Sequence, residues 1–116
     1  MKKTNPSSSS KASSLDREQY LYLTTRGRKS GRAREIEIWF TERQGRFYVI
    51  AEYPTSHWLE NLRADSAVQV RVGERSFAAH ASILGQAEAE LRDEIMDLSR
   101  KKYGWGGGTV VGLVPD

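Results

Sequence analysis

From residue 20 onward the dominant pattern is an alternation of apolar and polar positions with period two, which predicts strands. Residues 20–25, YLYLTT, are rich in aromatic and β-branched side chains and read as a first strand. Residues 34–40 put Ile36 and Ile38 on one face and Glu35 and Glu37 on the other, a second strand, and Gln44 and Gly45 mark a hairpin turn into a third over residues 47–51. Val68, Val70 and Val72 alternate with polar residues in a fourth. Gly73 and Glu74 turn it into a fifth over residues 76–84, and residues 109–114 form a sixth. Helical spacing occurs twice. Ser56 is the expected N-cap of a short helix over residues 57–64, with Trp58, Asn61 and Leu62 on one face. Ala87, Leu91, Ile95 and Leu98 then recur at spacings suited to a long helix, which Gly104 and Gly106 to Gly108 would stop. Its pairs Glu88 with Arg92 and Asp97 with Lys101 have the favourable i,i+4 order. Five strands before the one long helix, with no βαβ alternation, predict a mainly β (α+β) fold: a small split β-barrel of about six antiparallel strands with one short and one long helix.

Composition narrows the chemistry. The chain has 116 residues, no cysteine, 28% charged and 38% hydrophobic residues, which suits one small domain with one core. Without cysteine there are no thiolate zinc sites, iron–sulfur clusters, disulfides or cysteine nucleophiles. Two histidines, His57 and His80, cannot alone build a structural metal site, so no metal is expected. Ser56 and His57 are chain neighbours, and consecutive residues seldom face one another, so no side-chain nucleophile is expected either. Residues 1–14 are polar and serine-rich and read as a disordered leader, with the domain over residues 15–116. No apolar run fits a signal peptide or a membrane span, and the expected location is the cytoplasm.

The net charge of +3 is unevenly placed. Lys2, Lys3 and Lys11 lie in the leader, while Arg26, Arg28, Lys29, Arg32 and Arg34 crowd into nine residues without an acid, leaving −5 on the rest of the chain. This argues against a broad nucleic-acid-binding face and for a local anion site. Gly27 and Gly31 would let the backbone approach a ligand, Arg supplies a two-pronged donor for phosphate or carboxylate, and Lys29 supplies a point charge. On charge alone three readings stay open: an anion site, a solvated hairpin turn, and a contact with the phosphate backbone of a nucleic acid.

The string LTTRGRKSGRAREIEIWF, followed after a strand by HWLENLRADSAVQVRVG, resembles the deazaflavin (F420)-dependent nitroreductase and F420H2-dependent quinone reductase family, in which TTxGRKSGxxR and W-x-x-N-L-x-A-[ND] occur in this order. The resemblance runs over about residues 20–81 and resumes at Val114 and Pro115. It implies a split barrel related to FMN-binding oxidases and an oxidoreductase that passes hydride from reduced coenzyme F420 to a quinone, nitroaromatic or activated alkene. It further implies that Arg28, Lys29, Ser30 and Arg34 hold the cofactor's phosphate and glutamate tail. Glu35, Ile36, Glu37, Ile38 and Trp39 would run beside the deazaflavin. Ile50, Ala51 and Glu52 would form another wall, and Trp58, Leu59 and Asn61 would meet the cofactor from the short helix. Tyr103 and Trp105 would line the acceptor pocket, either as a lid on the glycine segment or as rings capping the barrel.

The chain departs from the family where Ala51, Glu52, Tyr53 and Pro54 replace Ala-Ser-Lys-Gly-Gly. Glu52 would repel an anionic cofactor unless it faced a base such as Arg34 or were protonated. FMN or another phosphorylated cofactor is therefore the alternative ligand, and a non-catalytic module binding an anion or a nucleic acid is a further one. A chain this short is expected to pair as a homodimer to complete its pocket.

Overall fold

The computed structural model describes Leu15 and residues 17–116, so the leader expected over residues 1–14 lies outside the described part. Seven strands follow one another there: β1 (Leu21–Arg26), β2 (Ala33–Ile38), β3 (Thr41–Arg43), β4 (Arg46–Ala51), β5 (Ala67–Val72), β6 (Arg75–Ile83) and β7 (Thr109–Pro115). Helix α1 (His57–Ala64) joins β4 to β5. A 3₁₀ turn (Gln86–Glu88) and helix α2 (Ala89–Tyr103) join β6 to β7. All pairings are antiparallel, in the order β2-β1-β5-β6-β7-β4-β3.

This order dictates the shape. β2 and β3 lie at opposite edges of the sheet, about 29 Å apart if six strand spacings were laid flat. Yet only Trp39 and Phe40 separate them, so Ile38 and Thr41 stand no more than about 11 Å apart. The sheet must curl until its edges meet, and because β2 and β3 do not pair, the barrel is split along that seam.

The strand expected over residues 34–40 ends at Ile38, and an unexpected short strand, β3, follows it over Thr41–Arg43, which makes seven strands where about six were predicted. The alternation of Glu35 to Ile38 fails at Phe40 and Thr41, which are buried in succession. Side chains of α2 take the backbone groups that a strand would have paired: Tyr103 Oη accepts from Phe40 N–H (3.1 Å), and Lys102 Nζ donates to Phe40 O (3.0 Å). The hairpin at Gln44 and Gly45 forms as expected, both residues at positive φ, but it joins β3 to β4.

Leu21, Leu23, Val49, Val68, Val70, Val72, Val111 and Leu113 fill the barrel, joined by Leu59 and Leu62 from α1. α2 covers the outer face of β4 and β7, where Ile95 packs with Tyr48, Ile50 and Val110. β4 is therefore apolar on both faces. Ala87, expected on the apolar stripe of the long helix, is exposed in the 3₁₀ turn. Asp97 pairs with Arg100 (2.6 Å) instead of Lys101, and Glu88 accepts from Gly85 N–H instead of pairing with Arg92. Among the described residues no helix is long and apolar enough to cross a membrane.

Candidate functional site

The turn between β1 and β2 is closed by two backbone bonds, from Gly27 N–H to Arg32 O (2.8 Å) and from Gly31 N–H to Gly27 O (2.8 Å). Gly31 sits at φ +72°, and a Cβ on Gly27 would lie 2.7 Å from Ser30 Oγ. Ser30 Oγ accepts from Arg32 N–H (3.1 Å). Both glycines and the serine of the basic motif thus serve the turn itself.

Facing the turn is α1. Asn61 Oδ1 accepts from the Arg28 backbone N–H (3.2 Å) and from Arg28 Nη1 (2.9 Å), while Asn61 Nδ2 donates to Thr25 Oγ1 (3.2 Å). The buried amide ties helix, turn and strand together. Ser56 precedes α1 as expected, but its hydroxyl donates to Tyr53 O (2.8 Å) and makes no cap bond to the helix.

Between turn and helix opens a cleft of about 700 Å³, within the usual range for small-molecule sites. The turn supplies Gly27, Arg28, Lys29 and Ser30; β2 supplies Ala33, Arg34, Glu35 and Ile36; α1 supplies His57, Trp58 and Asn61. Ile36 and Trp58 give an apolar wall, and three cations stand among the rest.

The charges are not cancelled locally. Arg26 pairs with Asp65 (3.5 Å), away from the cleft lining. Glu35 pairs with Arg71 (3.6 Å), and Glu37 accepts from Tyr22 Oη (2.8 Å), whose ring lies under Arg71. That bond to Glu37 is the main reason the Tyr22 hydroxyl titrates above its ordinary 10.0. Both glutamates of β2 thus have partners on the outside of the barrel. Lys29 and Arg34 have none: among the described residues neither side chain makes an ion pair or hydrogen bond.

Eight of the residues expected to hold a cofactor therefore gather at one cleft: Arg28, Lys29, Ser30, Arg34, Glu35, Ile36, Trp58 and Asn61. The others lie elsewhere. Leu59 is fully buried in the barrel core and offers a ligand no surface. Ile50 packs under α2, Ala51 faces the core, and Glu52 is exposed in the bend after β4, so it does not line the cleft as a repelling charge. Glu37 and Ile38 also lie outside the lining. Thr25 was not expected at the site; its signal was a polar residue at an inward position of β1, after Leu21 and Leu23.

Trp39, Tyr103 and Trp105 form a separate cluster. Trp39 stacks on Tyr103 with centroids 4.4 Å apart and planes 4° from parallel, and meets Trp105 edge-on at 6.3 Å. The Tyr103 hydroxyl lies within bonding distance of Gln19 O (2.7 Å) and Phe40 O (3.0 Å). Trp105 O accepts from Ser99 Oγ, and a Cβ on Gly106 would strike Met96 O, so this segment is held against α2. None of the three rings lines the basic cleft. Trp39 remains 37% exposed.

A curled antiparallel sheet with a basic cleft between its first hairpin and a short helix belongs to the split β-barrels, the class that includes FMN-binding proteins. The profile of the F420H2-dependent quinone reductases matches residues 2–106, and the chain belongs to that family. It is an oxidoreductase. Among solved structures, an F420H2-dependent reductase is 22% identical over 82% of this chain and 93% of its own, with a TM-score of 0.69. A protein solved as a domain-swapped dimer is 23% identical over 84% and 81%, also at 0.69. An FAD-binding protein from Mesorhizobium loti is 14% identical over 97% and 91%, at 0.72. At these identities the likeness is one of fold. No curated protein matches the sequence significantly.

Proposed function

We propose that the cleft binds coenzyme F420 and that the protein passes hydride from the reduced cofactor to an electron-poor acceptor, with a quinone as the first candidate and nitroaromatics or activated alkenes as others. One observation carries the reading: among the described residues Lys29 and Arg34 line the cleft without partners, beside an apolar wall of Ile36 and Trp58. Cations without partners among the described residues, set beside apolar surface, suit a flat ring with an anionic tail. The cofactor, when bound, supplies a hydride, and the acceptor takes any further proton from water.

The residues have distinct tasks in this reading. Arg28, Lys29, Ser30 and Arg34 hold the phosphate and glutamate tail, with Arg suited to two-pronged contacts and Lys29 to a mobile charge. β2 is an edge strand, so alternate backbone N–H and C=O groups point away from β1 and can meet the ring edge. Trp58 and Ile36 exclude water from one side of the ring. Acceptor recognition falls to the Trp39, Tyr103 and Trp105 cluster, whose exposed Trp39 face can stack an aromatic acceptor. The protein acts as a homodimer in this account, a reading supported by the domain-swapped neighbour.

The test is anaerobic oxidation of F420H2 with a benzoquinone, a nitroaromatic and an activated alkene, followed beside an Arg34→Ala variant. Acceptor-dependent oxidation is expected, fastest with the quinone and slowed in the variant at limiting cofactor. Rates equal to the protein-free control with all three acceptors would refute it, and oxidation supported only by reduced FMN would transfer the site to a flavin.

A further inference from the structure

Asn61 sits in the cleft wall, but its bonding capacity is turned inward. It is 5% exposed, and three of its four hydrogen-bonding positions are engaged: Oδ1 twice by Arg28 and Nδ2 once by Thr25, itself 2% exposed. These partners also fix the amide's orientation, since Oδ1 faces two donors. Arg28 is held from a second side as well, with Nη1 3.4 Å from His57 O and Nη2 3.5 Å from His57 Nδ1.

We propose that Asn61, braced by Thr25, is a positioning residue: it fixes the Arg28 guanidinium and backbone so that the turn is preset for the anionic part of the ligand, and it does not itself touch the ligand. This rests on the cofactor reading above. Three cations converge on the cleft, and an arginine free to choose its rotamer would swing away from Lys29 and Arg34 into solvent. A neutral amide holds Arg28 without cancelling its charge. A carboxylate at the same place would hold it equally well and neutralise it, so the choice of an amide has a physical consequence that can be read.

The probes are coenzyme F420 and the corresponding deazaflavin alcohol, which lacks the phosphate and glutamates. Asn61→Ala is expected to weaken F420 about tenfold, the scale of one charge-assisted contact, while the alcohol stays within about twofold. Arg28→Ala placed on Asn61→Ala is expected to add little, because both changes remove the same contact. Asn61→Asp is expected to melt near the wild-type temperature and still lose F420 affinity. Equal weakening of both ligands in Asn61→Ala, or losses that simply add in the double variant, would overturn the proposal.

Should Asn61→Ala not fold, the near-isosteric Thr25→Val removes the brace alone: a raised F420 dissociation constant with an unchanged one for the alcohol is expected, and no change in either overturns the proposal. Hydrogen exchange at the Arg28 amide separates this inference from the function it rests on. Wild-type protein that binds neither ligand refutes the cofactor reading, whereas an Arg28 amide that exchanges equally fast in wild type and in Thr25→Val refutes the clamp whatever the ligand.

Discussion

Removing Lys29 or Arg34 separates binding from folding more cleanly than other changes at the cleft. Both side chains are exposed and neither has a partner among the described residues, so truncation leaves no protein group unsatisfied. Stability should therefore move by no more than about 0.5 kcal/mol. Affinity should move more. A charge-assisted hydrogen bond contributes roughly 1.5–3 kcal/mol, and the openness of the cleft to solvent reduces that to about 1–2 kcal/mol, or about 5- to 30-fold in the dissociation constant per residue. The pair shares one anionic ligand, so the double variant should fall short of the product of the single effects. The assay is quenching of tryptophan fluorescence on titration with F420, since Trp58 lines the cleft, repeated at rising salt to confirm an electrostatic origin. Single variants that bind within twofold of wild type would refute the assignment of the anion site. A fall in melting temperature of the size produced by a core mutation would show instead that the turn is structural.

Other parts of the fold make separate predictions. Leu59→Ala should cost about 2–5 kcal/mol in urea unfolding, because its side chain is fully buried among barrel residues, while folded protein keeps F420 affinity within about twofold; lost binding at unchanged stability would return Leu59 to the cofactor site. Gly108→Ala should cost roughly 2–4 kcal/mol of stability and lower the melting temperature sharply, since Gly108 has φ +129° and a Cβ there would lie 2.1 Å from Ala51 O; near-normal melting would mean that β4 and β7 separate easily. The Tyr22 phenol should titrate above 10.0 by ultraviolet absorbance, and Glu37→Gln should bring it down. Because the folded value is the higher one, the associated stability is complete below the unfolded value and is lost as pH rises through the folded one. A Tyr22 titration indifferent to Glu37→Gln would contradict the bond.

Local chemistry was legible in the sequence, and long-range pairing was not. Helix α1 occupies residues 57–64 as the periodicity predicts, and the basic turn lies between two strands because its glycines and serine close it. Period two also found Val68, Val70 and Val72 facing inward. What it could not find is the seam. Trp39 and Phe40 look like the end of one strand because they are apolar, and only the bonds from Tyr103 and Lys102, more than sixty positions away, explain the crossing from one edge of the sheet to the other. The same limit applied to Leu59: it sits in the family-like segment, yet adjacency to a motif does not say which side of a helix faces a cleft, and Leu59 points into the core. Asn61 does line the cleft, but its bonds to Arg28 and Thr25 were not legible in the sequence. Glu52 likewise looked like a repelling charge until the end of β4 placed it outside the lining.

The proposed activity depends first on binding of coenzyme F420 in the cleft between the basic turn and α1. Calorimetric titration of the full chain with F420, beside a Lys29→Ala/Arg34→Ala variant and with FMN as competitor, tests it most directly. Saturable binding at one site per chain is expected, weakened in the double variant and little affected by FMN. No saturable heat with F420, or equal binding by the double variant, would contradict it.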